Sequence, residues 1–436
     1  MNTPICDFLE KYTADNKLRL HTPGHKGENP HDITEVYGAD SLYESTPNGI
    51  IGMSELNAQS VFGSQRTCYS CEGSTLAIQA GLAVLKSQGV KTIAASRCSH
   101  RSLAMAASLL RMNVKWLYPP EFLSANITYN ADSIRDADAL FITNVDYYGG
   151  TWRFVNPKIP VLIDNAQAAY LRFVDKRAFG VEYVHPLELG FPLICAESAH
   201  KTLPVLTGGA YLHFSAGTDP ANAKEMMALF GTSSPSYLIL ESLDRFNAMI
   251  ANNTQMVNNA CGAVAELKQR LTEQGVPIQK TDPLRITINA REWGYTGFQY
   301  AQILRDSGVE CELADHSKVV LLFSATSTLA DCERAELAIH FVPQRTPLPP
   351  ANCPVVKATA DMPMWEAMYL PRKTIPIKSA SGEVCAKFTA PCPPGVPIIM
   401  PGEIIDHNVI DALWAFGIQE VTVVARTRPF QMGMMC

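Results

Sequence analysis

The run Glu197-Ser198-Ala199-His200-Lys201-Thr202-Leu203 places a lysine between hydroxyl and imidazole groups, directly after the apolar segment Phe191-Pro192-Leu193-Ile194-Cys195-Ala196. The segment is short enough for a buried strand, and Leu206 to Phe214 turns back as a second one. Lys201 therefore sits at the mouth of a sheet, partly desolvated, and desolvation frees the amine as a nucleophile by lowering its pKa. Such an amine is what a pyridoxal phosphate enzyme needs for the Schiff base to its cofactor. Alone, S-x-H-K describes a surface lysine after a strand equally well, so the partners elsewhere in the chain must decide.

Three partners present themselves. Val161-Leu162-Ile163 runs straight into Asp164-Asn165-Ala166-Gln167. A carboxylate after three apolar residues is costly to bury unless a cation or donor meets it. The protonated pyridine nitrogen of the same cofactor would be such a cation; a structural cap for the following loop is the alternative. Gly73-Ser74-Thr75 opens a helix-patterned stretch through Leu85, and free N–H groups at a helix start suit a phosphate, although a plain Ser/Thr cap is the commoner use. His100, in Cys98-Ser99-His100-Arg101-Ser102, ends the strand-like Thr92 to Arg97 where open α/β sheets gather ligands, and could stack on a flat ring or simply occupy a loop.

Strand patterns at 92–97, 139–144, 161–163, 191–196 and 206–214 alternate with helical ones, which argues for a mostly parallel sheet covered on both faces. The spacing predicts one long connecting helix over 238–274, then a smaller C-terminal α/β unit with a strand at 283–288, a helix near 296–307 and a strand at 318–323. Three regions result: an N-terminal arm over 1–55, a large domain over 56–275 and a small domain over 276–436. The arm, with Leu20-His21-Thr22-Pro23-Gly24-His25-Lys26-Gly27, reads as a structural arm or an active-site loop. Glu403 is fixed in a proline-rich turn near the end of the chain.

Composition narrows the field. The 436 residues are 47% hydrophobic and 18% charged with a net charge of -6, which supports a substantial core and leaves no basic excess for nucleic acid. The slight acidity favours a cationic substrate. Neither a secretory signal at Met1 to Asp7 nor a membrane span of ~20 apolar residues is expected. Cys68 and Cys71 form a lone C-x-x-C with no second pair for zinc, so no metal is expected and the twelve cysteines read as reduced thiols of a cytoplasmic protein. A dinucleotide G-x-G-x-x-G, a Walker loop and a G-x-S-x-G elbow are all missing.

Seven motifs in order resemble the Orn/Lys/Arg decarboxylase family of fold type I pyridoxal phosphate enzymes, in its short bacterial form. They are L-H-T-P-G-H-K-G at 20–27, G-S-T at 73–75, S-H-R-S at 99–102, D-N-A at 164–166, S-A-H-K-T-L at 198–203, T-S-S-P-S-Y at 232–237 and P-P-G-V-P…P-G-E at 393–403. The resemblance implies an aspartate aminotransferase-like large domain with pyridoxal 5'-phosphate bound to Lys201 and paired through its ring nitrogen with Asp164. His100 and Ala166 would flank the ring, Ser74, Thr75, Ser198 and His200 would hold the phosphate, and Thr232 would reach the phosphate of a neighbouring subunit. A homodimer with shared active sites follows. Lys201 or His200 would return a proton to Cα after the α-carboxylate of arginine, lysine or ornithine leaves. Glu403, Glu312 and Asp315 are candidates to meet the distal cation.

The chain also departs from the family pattern. Where D-E-A-H-G-A-H is usual, it reads D-N-A-Q-A-A-Y, so two histidines become Gln167 and Tyr170. Gly208 replaces a glutamine, Cys392 a tyrosine, and Glu72 stands where an amide is common. These changes keep open another reaction on the same cofactor, such as aminotransfer with Arg285 or Arg372 binding the carboxylate, and a catalytically altered regulatory paralogue.

Overall fold

The computed structural model describes residues 1–35, 39–119, 129–151, 155–180, 182–351, 355–390 and 395–425. Cys392 and the two prolines at 393–394 lie outside them.

The centre is a seven-stranded sheet: β1 (Arg66–Ser70), β2 (Thr92–Ser96), β3 (Asn113–Leu117), β4 (Ala139–Thr143), β5 (Val161–Asp164), β6 (Ile194–Glu197) and β7 (Ala210–Phe214), in the order β1-β7-β6-β5-β4-β2-β3. The pairs β3–β2, β2–β4, β4–β5 and β5–β6 are parallel, while β7 runs antiparallel to both β6 and β1. Every residue of β5, β6 and β7 is buried. These strands are mainly apolar because both faces of the sheet are covered, with Asp164, Glu197 and His213 as the buried polar exceptions.

Four helices open the chain: α1 (Pro4–Ala14), α2 (Ile50–Phe62), α3 (Gly73–Ser87) and α4 (Arg101–Leu109). α3 lies against the sheet, burying Leu76, Ile78, Leu82 and Leu85 among others. Gly81 makes the close approach possible, since a Cβ there would stand 2.9 Å from Leu162 Cδ1. The arm is not separate: Ile5 and Leu9 of α1, with Ile33 and Leu42, join a core that also holds Tyr211 and Leu240. Position 55 falls inside α2, where Glu55 accepts from the Tyr69 N–H at 2.8 Å and pairs with Lys224.

The expected helix over 238–274 is two helices, Tyr237–Asn252 and Gln255–Glu273. Asn253 and Thr254 occupy the break, next to Asn252 at the end of the first helix; such short polar side chains compete for backbone groups and weaken a helix interior. The Asn258 side chain donates to Thr254 O at 3.1 Å just inside the second helix.

The C-terminal part holds two sheets. β8 (Arg285–Asn289), β9 (Leu313–Ala314) and β10 (Lys318–Leu322) form one of three strands, backed by helices Gly297–Asp306 and Leu329–His340. The helix at 297 carries a capping box between Thr296 and Gln299. β11 (Arg372–Pro376) and β12 (Glu420–Val424) pair separately and pack with helix His407–Ala415 around Ile377, Ile399 and Leu413. Among the described residues no helix is long and apolar enough to cross a membrane.

Candidate active site

The carboxyl ends of four strands and the start of one helix converge on a cavity of about 390 Å³. β5 delivers Asp164 as its last residue. β6 leads through Ser198 into the single turn Ala199–Thr202, which carries His200 and Lys201. β2 leads to His100, which caps α4 through a Ser102 N–H bond to its Nδ1 at 3.3 Å. Ser74 and Thr75 open α3. All of these, with Ala166, border the one cavity, so eight of the nine expected cofactor residues are brought together. This is the crevice outside the strand ends where open α/β sheets bind ligands.

Burial dominates the electrostatics. It lowers the Lys201 pKa, and Arg285 adds to that, while Asp164 and Glu312 oppose it without cancelling it. Burial raises the Asp164 pKa against two stabilising contacts, the Ala166 N–H at 3.0 Å and the Lys201 charge. A carboxylate so placed lacks one strong cationic partner, which a protonated ring nitrogen would supply. The His100 imidazole is pushed down to about 4 by burial first, then by Lys201 and Arg101, so it faces the cavity neutral and flat. Burial lowers His200 as well, against the hydrogen bond between its Nδ1 and Gly209 O at 3.1 Å.

The other end of the cavity suits a dianion. Ser198 Oγ donates to Ser74 Oγ at 2.8 Å and accepts from the Ser74 N–H at 3.4 Å, which clusters two hydroxyls at the positive end of α3. Thr143, at the end of β4, borders the cavity with a buried hydroxyl that has no partner among the described residues. An acid for a cationic ring, hydroxyls for a phosphate and a desolvated amine between them fit pyridoxal phosphate. Glu72 is the discordant neighbour: Oε1 accepts from the Thr232 N–H at 3.2 Å and Oε2 is buried without a partner among the described residues.

Four expected residues lie off the cavity wall. Thr232 is exposed on a loop, its hydroxyl accepting from the Ser234 N–H at 3.1 Å. Glu403 does not face a cation-sized space: its carboxylate meets Arg97 Nη2 at 3.0 Å and the Met400 N–H at 2.8 Å in the interior. Asp315 caps its own turn through Ser317 and Lys318 and accepts from Tyr148. Glu312 is exposed yet near enough to act on Lys201, and it has no ion pair among the described residues. For Glu403 and Asp315, local sequence showed an acid in a turn but not the donors that claim it.

Sequence reasoning missed two supports. Arg97 is buried and donates to Pro397 O and Ile398 O, both at 2.9 Å, besides Glu403, so it ties the end of β2 to the C-terminal part. Gly395, from that part, stands so close to His100 that a Cβ would lie 3.0 Å from Nε2. Beneath Asp164, the Asn165 amide donates to Glu197 at 2.7 Å, and Glu197 lies fully buried between His185 and His213. Their histidines come from distant positions, and no local pattern announces them.

A family model described as Orn/Lys/Arg decarboxylase, major domain, matches residues 3–290, and one described as the C-terminal domain of the same enzymes matches 355–417. The chain belongs to the Orn/Lys/Arg decarboxylase family. It is thus a pyridoxal phosphate-dependent amino acid decarboxylase by family. An arginine decarboxylase of Bacillus subtilis is 26% identical, with 94% of this chain and 93% of that one covered. An uncharacterized protein of the same organism, YaaO, is also 26% identical over 95% of this chain and 94% of its own. Solved lysine decarboxylases share the fold: the Francisella novicida enzyme LdcF with a TM-score of 0.75 at 17% identity, covering 97% of this chain and 81% of that one, and the constitutive Escherichia coli enzyme at 0.74 and 17%, covering 97% and 82%. The decarboxylase family thus accounts for the fold type I architecture with its mostly parallel sheet.

Proposed function

We propose that this chain converts a basic amino acid, arginine, lysine or ornithine, to the corresponding amine in polyamine or diamine metabolism. The observation that carries the reading is the meeting of Lys201, Asp164 and His100 in one cavity, within a family whose members take such substrates. Arginine decarboxylases among the relatives support the substrate class.

The chain's own groups divide the work. Lys201 offers a lone pair at Nζ because burial weakens its hold on a proton. Asp164 would keep a proton on the ring nitrogen of the bound cofactor, its buried carboxylate needing that cation as much as the cation needs it. Neutral His100 would cover one ring face and Ala166 the other, with Ser74, Thr75, Ser198 and His200 on the phosphate. Pyridoxal phosphate, when bound, supplies the protonated ring that accepts the electron pair left at Cα as carbon dioxide departs. Lys201, or His200 one residue away, then delivers a proton to Cα. Glu312 is the carboxylate of the expected three best able to meet a distal cation, being exposed and close to Lys201.

Aminotransfer draws no support from its candidate arginines. Arg285 is buried against Asp282 at 2.6 Å, and Arg372 is exposed on β11. A homodimer with Thr232 of each subunit serving the other's site, and a cytoplasmic location in keeping with the free thiols of the described cysteines, belong to the same proposal. The test is a panel of arginine, lysine, ornithine and neutral amino acids with the cofactor-loaded protein, reading carbon dioxide and amine. Release from a basic substrate is the expected result; a keto acid without carbon dioxide would overturn the reading.

A further inference from the structure

Gln167 stands where the family pattern has a histidine, and the structure shows what holds it. Its side-chain oxygen accepts from Arg285 Nη2 at 3.0 Å, and its backbone oxygen takes the same nitrogen at 3.4 Å. Arg285 is fully buried and is itself anchored by Asp282, whose carboxylate also accepts from Tyr170 and from the Leu284 N–H at 3.2 Å. Tyr170 is the second family histidine changed in this chain. The two departures therefore belong to one assembly, Gln167–Arg285–Asp282–Tyr170, that joins the turn after β5 to the start of β8.

The guanidinium has donors only, so it decides which way the amide faces: oxygen toward Arg285, –NH2 away from it. Gln167 borders the same cavity as Lys201 and Asp164, and its –NH2 has no acceptor among the described residues. Two neutral donors are thus left over at the border of the space that holds the reacting amine, with a positive charge one residue behind them. A decarboxylase has a particular use for this. The carboxylate must be oriented, but an ion pair with arginine would stabilise it as an anion in the ground state and oppose its loss as neutral carbon dioxide. Gln167 keeps Arg285 from the cavity and presents an amide instead.

We propose that the Gln167 amide –NH2 binds the substrate's α-carboxylate, with Arg285 as the positioning residue that orients it, and that this pairing favours decarboxylation over reactions that retain the carboxylate. The inference rests on the functional reading above. Its test compares two ligands for each substrate length: the des-amino acid (6-aminohexanoate, 5-aminopentanoate or 5-guanidinopentanoate), which keeps carboxylate and distal cation but lacks the α-amine that decarboxylation requires, and the amine product, which lacks the carboxylate. Calorimetric dissociation constants are measured on the loaded protein, using the length that the wild-type enzyme decarboxylates.

Gln167→Glu keeps an acceptor for Arg285 but presents a carboxylate instead of donors; Gln167→Leu removes both. The expected result is that each variant binds the des-amino acid roughly tenfold or more weakly, the usual scale for a hydrogen bond to a charged group, and the amine within about twofold of wild type. A Gln167→Glu protein that binds both ligands as wild type does would overturn the proposal in favour of a structural role. Equal weakening of both ligands, or a changed visible absorption of the resting enzyme with an unchanged acid-to-amine ratio, would overturn it too. Failure of the wild-type protein to decarboxylate any basic amino acid overturns the functional reading itself, and is seen before any variant is made.

Discussion

Burial sets the proton affinity of Lys201, Asp164 and His100, and the roles proposed for them rest on it. Lys201→Ala removes the nucleophile, and turnover should fall by several orders of magnitude with loss of the visible absorption band; borohydride reduction of the wild-type protein should label the peptide containing residue 201 and no other. His100 offers a pH test. Its folded pKa lies near 4 against 6.5 unfolded, so between those values the unfolded chain binds the extra proton. Stability therefore rises with pH across that window, and falls as pH drops through it, by roughly 3 kcal/mol at most. His100→Phe keeps a ring over the cavity and removes the titration. Denaturant unfolding between pH 4 and 6.5 should then show a shallower loss; an unchanged slope would falsify the assignment. Lys201 and Asp164 could be picked out as site candidates from an ionisable residue at or just after an apolar run, a pattern that needs a reason, and both border one cavity. Thr143 and Gln167 carried no such signal, because a threonine at a strand end and a glutamine in a turn are ordinary until their neighbours are known.

Loops that end strands decide how the site is shaped. Gly208, where the family pattern has glutamine, has φ +99°, and a Cβ there would lie 2.5 Å from Cys71 O. Its carbonyl accepts from the Gly73 N–H at 2.8 Å, which joins this loop to the start of α3. The turn has closed around a glycine, so restoring the family residue should not restore anything. Gly208→Gln is expected to lose about 1–3 kcal/mol of unfolding free energy and to weaken cofactor binding, read by urea titration and by absorbance at increasing pyridoxal phosphate. Strands β2, β4, β5, β6 and β7 and helix α3 were readable from the sequence because their burial is nearly continuous, whereas β1 and β3 were not read. The break at 253–254 was not, since the apolar spacing runs on through it and only Asn253 and Thr254, poor residues for a helix interior, mark it.

Arg97 links the sheet to the C-terminal part, and through Gly395 that part presses on His100. Taking one partner from a buried ion pair strands the other charge, typically at about 3–5 kcal/mol. Arg97→Met should therefore cost stability on that scale, leave Glu403 uncompensated, and expose the C-terminal part to limited proteolysis. Glu403→Gln should cost less, because it retains an acceptor for Arg97 without a charge. A double-mutant cycle on unfolding free energies measures the coupling, and an additive pair would show that these residues act separately. Sedimentation of the cofactor-loaded protein should show a dimer, and a monomer with full activity would remove Thr232 from any shared site.

Sequence alone determined the alternation of strands and helices, the lysine and the aspartate, because each is a local pattern: apolar runs need cover, and a buried charge needs a partner. It also showed an acid at 403 and an arginine at 285, but not their fates. Only the tertiary structure decided that Glu403 pairs with Arg97, that Arg285 stands behind Gln167, and that Glu312 has no ion pair among the described residues while acting on Lys201. Those outcomes depend on which donors and acceptors meet across hundreds of residues, and hydrogen bonds act only at contact distance. A chain written in order does not contain that information residue by residue; the folded arrangement does.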